Sequence, residues 1–347
     1  MEHWRARIGG HYLEGAYYPA ENHLATVSFL LGFKSTSDYY THILEKLNAA
    51  GFSVLACHYP DPGNSRNYMD KYEALTREFL GADAADLPGR SKGPQVLFAH
   101  SMGAYFVTRL LLEQESAAAI LKRYSGAVFS YPFYTAPFAR KPSMREGFRL
   151  ASLFLSNTAQ PLPDTVSDLH GLREETHFTG TYGYPTHRQI LYMTDHGRAF
   201  LAGFESRIRE KEDSPRIPLA FFMGRRDFVA DPLAGYRVAS ALGGETHFSD
   251  TEHNTLLESE KMTARIIGIL REMAAKPPGS AADYQFLPGH EWAAKGSRTK
   301  PDLFGIASAN HIRVVTTWAR ALRAERKRGP RGRPDRASSN GPVSKPG

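Results

Sequence analysis

From residue 24 to about residue 273, short apolar runs alternate with longer segments in which apolar residues recur every three to four positions. Short apolar runs bounded by turn residues read as buried strands, and the 3.6-residue period reads as helices packed on them. Residues 24–31, stopping at Gly32, form the first such run, and 53–57, 95–99, 126–130, 217–223 and 244–248 form the others. Between them, 37–50, 68–80, 103–113, 233–242 and 254–274 carry helical periodicity, the first of these stopped by Gly51. This alternation predicts an α/β protein: a mostly parallel sheet covered on both faces. Ahead of it, residues 5–8 and 11–18 flank Gly9-Gly10, a pair suited to a two-residue hairpin, so the sheet should open with antiparallel strands.

The interval 131–215 breaks the pattern, being rich in aromatic residues, Pro and Thr, with helical patches near 144–155 and 186–208. It reads as a cap inserted over the sheet. The expected organisation is a core of residues 1–130 and 216–275, the cap at 131–215, an extension at 276–319 and a basic tail at 320–347. Periodicity fades beyond Pro277-Pro278-Gly279-Ser280, apart from an amphipathic stretch at about 306–326, and there is no internal repeat.

Composition adds limits. With 347 residues, 41% hydrophobic and 23% charged, the chain can bury a full core and does not match disordered composition. Cys57 is the single cysteine, so no intrachain disulfide is possible. The first seven residues lack the apolar stretch of a secretory signal, and no run approaches the roughly 20 apolar residues of a membrane helix. A soluble, cytoplasmic protein is expected. Nine cations and two anions lie in 320–347, so this tail alone carries the formal net charge of +7 and the remainder is neutral. Contact with nucleic acid or an anionic membrane is therefore expected only through the tail.

The chemistry centres on Val96-Leu97-Phe98-Ala99-His100-Ser101-Met102-Gly103. A serine on a sharp turn from strand to helix exposes its hydroxyl beside backbone N–H groups that can hold an oxyanion. The turn demands small residues two places either side, and Ala99 and Gly103 supply them. The plainer alternative is that Ser101 only caps the following helix. A nucleophilic serine needs a base and an orienting acid, which follow such a turn in the order Ser, acid, His. Asp227 lies just beyond the strand 217–223, and Asp231, which also suits the N-cap of 233–242, is its competitor. His253 lies in a loop before the last helix, whereas its alternative His247 falls inside a strand. The N–H groups of Met102 and of Phe33, just past Gly32, are the candidate oxyanion donors. The other histidines and carboxylates show no zinc-ligand spacing.

On these residues the chain resembles the monoacylglycerol lipase and lysophospholipase branch of the α/β hydrolases, grouped with the serine aminopeptidase-like hydrolases, over residues 9–273. Ala99-His100-Ser101-Met102-Gly103 is similar to that branch's Gly-His-Ser-Met-Gly, Gly224-Arg225-Arg226-Asp227 to its Gly-x-x-Asp loop, and His253-Asn254-Thr255-Leu256-Leu257-Glu258 to its histidine loop. Two features depart from it. Leu31-Gly32 stands where the branch has His-Gly, and His58-Tyr59-Pro60-Asp61-Pro62-Gly63-Asn64-Ser65 where it has Asp-x-Arg-Gly-x-Gly-x-Ser. The resemblance implies an α/β-hydrolase fold and cofactor-free, metal-free acyl transfer through Ser101, His253 and Asp227. The partner would be a small acyl substrate such as a lysophospholipid, a monoacylglycerol or another apolar ester. Phe133, Tyr134 and Tyr192 are candidates to line its pocket. Two alternatives stay open: a thioesterase, amidase, peptidase, carbon–carbon hydrolase or acyltransferase with the same three residues, and a noncatalytic binding protein on this fold.

Overall fold

The computed structural model describes residues 1–62, 67–83, 86–90, 93–140, 142–143, 145–147, 187–209, 217–225, 227, 229–249, 251, 253 and 259–278. At the head of the chain Gly9 and Gly10 adopt φ of 55° and 86°, the left-handed pair a tight hairpin needs. They join β1 (Glu2–Ile8) to β2 (His11–Tyr18) in antiparallel register. There follow β3 (Ala25–Leu30), α1 (Thr41–Ala49), β4 (Phe52–Cys57), α2 (Tyr68–Gly81), β5 (Gln95–His100), α3 (Met102–Leu111), α4 (Gln114–Arg123) and β6 (Tyr124–Ser130). Then come α5 (His187–Arg209), β7 (Leu219–Gly224), α6 (Pro232–Ala241), β8 (Glu245–Ser249) and α7 (Glu260–Ala274).

The eight strands form one sheet in the order β1-β2-β4-β3-β5-β6-β7-β8, parallel from β4 to β8 and antiparallel at β1 and β2. The chain passes from β3 outward to β4, then crosses back over β3 to β5. Its direction of travel therefore reverses between β3 and β5, where open α/β sheets leave a crevice at the carboxyl ends of the strands.

Both faces of the sheet are covered, so its central strands are apolar on both sides. In β5, Val96 and Phe98 pack into the core shared with α1 and α7, and Leu97 and Ala99 into the core shared with α2, α3, α4 and α6. Phe98 meets Phe29 of β3 at 4.8 Å between ring centroids, locking together the two strands that flank the crevice.

The elements depart from expectation in three places. Helix α4 has no counterpart in the sequence pattern: its apolar stripe of Ala117, Ile120 and Leu121 is short, and it passes into β6 with no glycine or proline between. The segment 37–50 divides into a 3-10 turn, Ser37–Tyr40, and α1. Helix α7 starts at Glu260 rather than 254, because Ser259 has extended backbone (φ −80°, ψ 111°).

Among the described residues, nothing between β6 and β7 pairs with the sheet, in which those two strands are neighbours, so the chain makes an excursion there. Within it α5 lies against the loop after β6: a β-carbon on Gly197 would collide with the Tyr134 carbonyl oxygen, so only glycine permits that approach. Most of the helical patch expected near 144–155, the extension beyond 278 and the tail 320–347 lie outside the described residues. Among the described residues, no helix is long and apolar enough to cross a membrane.

Candidate active site

β5 ends at His100 and α3 begins at Met102, leaving Ser101 to make the whole turn with φ 51° and ψ −114°. Such a conformation costs a non-glycine residue about 1–3 kcal/mol and survives only where its surroundings enforce it. Here the Ser101 N–H donates to the Ser130 carbonyl at 2.9 Å, while its own carbonyl accepts from Phe133 at 3.0 Å and Tyr105 at 3.3 Å. Two residues on, a β-carbon at Gly103 would stand 2.7 Å from the carbonyl oxygens of both Leu30 and Leu31. That contact is the physical content of the small residue the turn requires. The Ser101 side chain makes no capping bond to α3, so the helix-cap alternative falls away. Instead Ser101 Oγ lies 3.0 Å from Nε2 of His253, and both residues are buried.

On the other side of the imidazole, Nδ1 stands 2.7 Å from Asp227 Oδ2. An ionised carboxylate only accepts, so Nδ1 carries the proton, and in the neutral ring Nε2 is left as the acceptor for the serine hydroxyl. The second oxygen, Oδ1, accepts the N–H groups of Val229 and Ala230, each at 2.8 Å, which fixes the carboxylate in its turn. The rival residues are engaged elsewhere. Asp231 caps α6 by accepting the Leu233 N–H at 2.8 Å. His247 stacks on Phe222 at 4.5 Å, with Nε2 3.1 Å from Glu245 Oε1.

The loop after β3 passes directly beneath the serine. A β-carbon on Gly32 would lie 3.3 Å from that of Ser101 and 2.8 Å from Tyr40 Oη. The Gly32 N–H donates to Tyr40 Oη at 2.8 Å, and Ser35 Oγ donates to the Gly32 carbonyl at 2.9 Å. Tyr40 and Ser35 oxygens are 3.2 Å apart and close the ring of bonds. The Gly32 N–H is thereby engaged within the loop. Lys34 follows with φ 57° and its ammonium 3.6 Å from Asp61. Burial pushes the Tyr40 phenol well up, so it remains a neutral hydroxyl.

A family model described as serine aminopeptidase, S33, matches residues 21–260. The chain belongs to this family of α/β hydrolases. Among solved structures, a soluble variant of monoglyceride lipase from Saccharomyces cerevisiae, in complex with a substrate analogue, is similar at 14% identity and TM-score 0.58, covering 80% of this chain and 95% of the lipase. Paleococcus ferrophilus monoacylglycerol lipase is similar at 16% identity and TM-score 0.50, covering 79% and 99%. No curated protein matches the sequence.

In this S33-family chain the three aromatic residues expected to line a substrate pocket fare differently. Phe133 is buried, with its backbone on the Ser101 carbonyl. Tyr134 is wholly enclosed, with its hydroxyl 2.7 Å from Thr108 Oγ1 of α3 and its ring stacked on Phe200 of α5. It has no surface left for a ligand and belongs to the packing between core and α5. Tyr192 is half-buried, its ring meeting Tyr68 at 5.3 Å, and Tyr68 in turn meets Phe33 at 5.3 Å. An aromatic wall thus runs from the loop beneath the serine to α5. Among the described residues, no three His, Cys, Asp or Glu side chains converge as a metal site would. Sequence reasoning missed Tyr40 and Tyr131. Tyr40 Oη and Tyr131 Oη reach the loops after β3 and β8, and neither residue belongs to a local motif.

Proposed function

We propose that this S33-family chain is a serine hydrolase that cleaves a carboxylic ester through an acyl-enzyme on Ser101. The observation that carries the reading is the unbroken line from Ser101 Oγ to His253 Nε2 at 3.0 Å and from His253 Nδ1 to Asp227 Oδ2 at 2.7 Å. Ser101 Oγ bonds to the acyl carbon as its proton passes to His253 Nε2. The negative charge on the former carbonyl oxygen is held by the N–H groups of Met102 and Phe33. Collapse of that adduct breaks the ester C–O bond, and the imidazolium returns the proton to the leaving alkoxide. Water then attacks the acyl-enzyme, giving its proton to His253, and Ser101 recovers its hydroxyl as the acid departs. Asp227 holds the ring in register and offsets its charge while it is protonated.

For the substrate we propose an apolar acyl ester, supported by the aromatic wall of Phe33, Tyr68 and Tyr192. The lipases of like fold make a monoacylglycerol the first ester to try. The excursion 131–215 is proposed as the cap over the site, within a soluble, cytoplasmic enzyme. The test is labelling by a fluorophosphonate, followed by turnover of esters of graded chain length, with thioesters and aminoacyl amides beside them. Wild type should label and Ser101→Ala should not, while remaining folded. A folded wild type that neither labels nor turns over any ester would overturn the reading. A preference for aminoacyl amides would keep Ser101 and replace the substrate class.

A further inference from the structure

Three strand spacings separate β5 from β8. At about 4.8 Å each, roughly 14 Å separates the end of β8 from that of β5, a distance that the link after β8 and the His253 side chain span together. From Ser249 to His253 there are only four residue steps, which reach at most about 14 Å. Thr251, midway along this link, lies over the ends of β6 and β7.

What stands there is Tyr131 and Gly224. Tyr131 follows β6 with φ 47°, a left-handed conformation costly for a residue with a β-carbon, and its N–H donates to the Phe222 carbonyl of β7 at 2.8 Å. Its buried hydroxyl bonds Thr251 Oγ1 in the link and lies 3.5 Å from Ser249 Oγ, while Ser249 and Thr251 hydroxyl oxygens are themselves 2.5 Å apart. The ring meets the His253 imidazole edge to face at 5.7 Å, and His100 packs against both, at 6.2 Å from Tyr131 and 5.2 Å from His253. A β-carbon on Gly224 would strike both the Thr251 carbonyl oxygen and Tyr131 Cε1. The glycine that opens the loop of Asp227 is thus the space into which the link and the tyrosine fit.

We infer that Tyr131 is a positioning residue for the base: its hydroxyl ties down the link 249–253 at Thr251, and its ring supports the imidazole between Asp227 and Ser101. The inference rests on the reading of Ser101 as nucleophile and His253 as base. Tyr131 touches no reacting atom and acts only through where it sets His253.

Tyr131→Phe and Thr251→Val each remove one half of the same hydrogen bond at nearly constant volume. With a chromogenic p-nitrophenyl ester, each should lower kcat about tenfold with KM nearly unchanged, and the double variant should be no worse than the poorer single. In a His253→Ala background, neither change should alter the residual rate of fluorophosphonate labelling, because the base through which they act is gone. Wild-type kcat in a folded Tyr131→Phe, or an equal loss with and without His253, would overturn the inference while leaving the hydrolase reading intact. If Tyr131→Phe does not fold, Thr251→Val carries the same test from the other partner. Full turnover in Ser101→Ala would instead remove the nucleophile, and this inference with it.

Discussion

Nε2 of His253 stands 3.0 Å from Oγ of Ser101 across 152 positions of sequence. Each residue sits just past the carboxyl end of a strand, and a parallel sheet brings all such ends to one edge. The site is therefore built by topology first and by local loops second, and the two kinds of contribution separate under mutation.

Asp227 and Asp231 lie four residues apart, yet only Asp227 reaches the imidazole. Asp227→Asn should keep the fold and lower kcat by about 10⁴, since an amide orients the ring differently and cannot offset its charge. Asp231→Ala should leave kcat near wild type and destabilise the protein by about 0.5–2 kcal/mol through loss of the α6 cap. Paired kcat and thermal-unfolding measurements on the two variants decide it. Equal losses of activity would contradict the division of roles.

Gly103 should tolerate no side chain, because a β-carbon there meets two carbonyl oxygens of β3 and the backbone after it at 2.7 Å. Gly103→Ala is expected to destabilise the fold by about 1–3 kcal/mol and to slow fluorophosphonate labelling as the turn shifts. Gly268, inside α7, has nothing within 4 Å of the place a methyl group would occupy, so Gly268→Ala should instead stabilise by about 0.5–1 kcal/mol. A melting-temperature shift of the same sign in both would refute the contact argument.

Much of this was legible in the sequence, for reasons that differ by element. The strands of the central sheet are buried on both faces, so each is a mostly apolar run, with small polar residues such as Ser28 and Ser53 buried among the apolar ones. That Ser101, Asp227 and His253 share one edge followed from their each lying beyond a strand in a parallel sheet. Tyr131 was not legible, because its partner Thr251 lies 120 positions away and neither residue sits in a pattern. Tyr134 reads as pocket lining in the sequence and is not, because an aromatic residue in an excursion looks the same there whether it faces a ligand or, as here, Thr108 and Phe200.

His58 links pH to stability. Its Nε2 accepts the Ser37 N–H at 3.1 Å, which requires an unprotonated nitrogen. Burial lowers its pKa, with His3 acting the same way and Glu14 and Asp38 opposing. The unfolded chain then binds a proton at this ring more readily than the folded one. The contribution is present above the ordinary value of about 6.5 and is lost as pH falls through the lower folded value. His58→Gln, whose amide oxygen can still accept from Ser37, should flatten the fall in melting temperature below pH 6.5. An identical pH slope in wild type and variant would exclude His58 as the source.

Tyr192 and Tyr134 separate binding from packing. Tyr192 is half-buried at the α5 end of the aromatic wall, whereas Tyr134 is sealed between α3 and α5. If acyl chains lie along that wall, Tyr192→Ala should raise KM roughly tenfold for long-chain esters, leave short-chain KM nearly unchanged and alter kcat little. Tyr134→Phe deletes only the bond to Thr108, so it should cost about 0.5–1.5 kcal/mol of stability and change KM for no ester. Chain-length profiles of the two variants are the measurement. A Tyr192→Ala enzyme with wild-type KM for every chain length would move the acyl site away from α5, and with it the case for an apolar ester drawn from that wall.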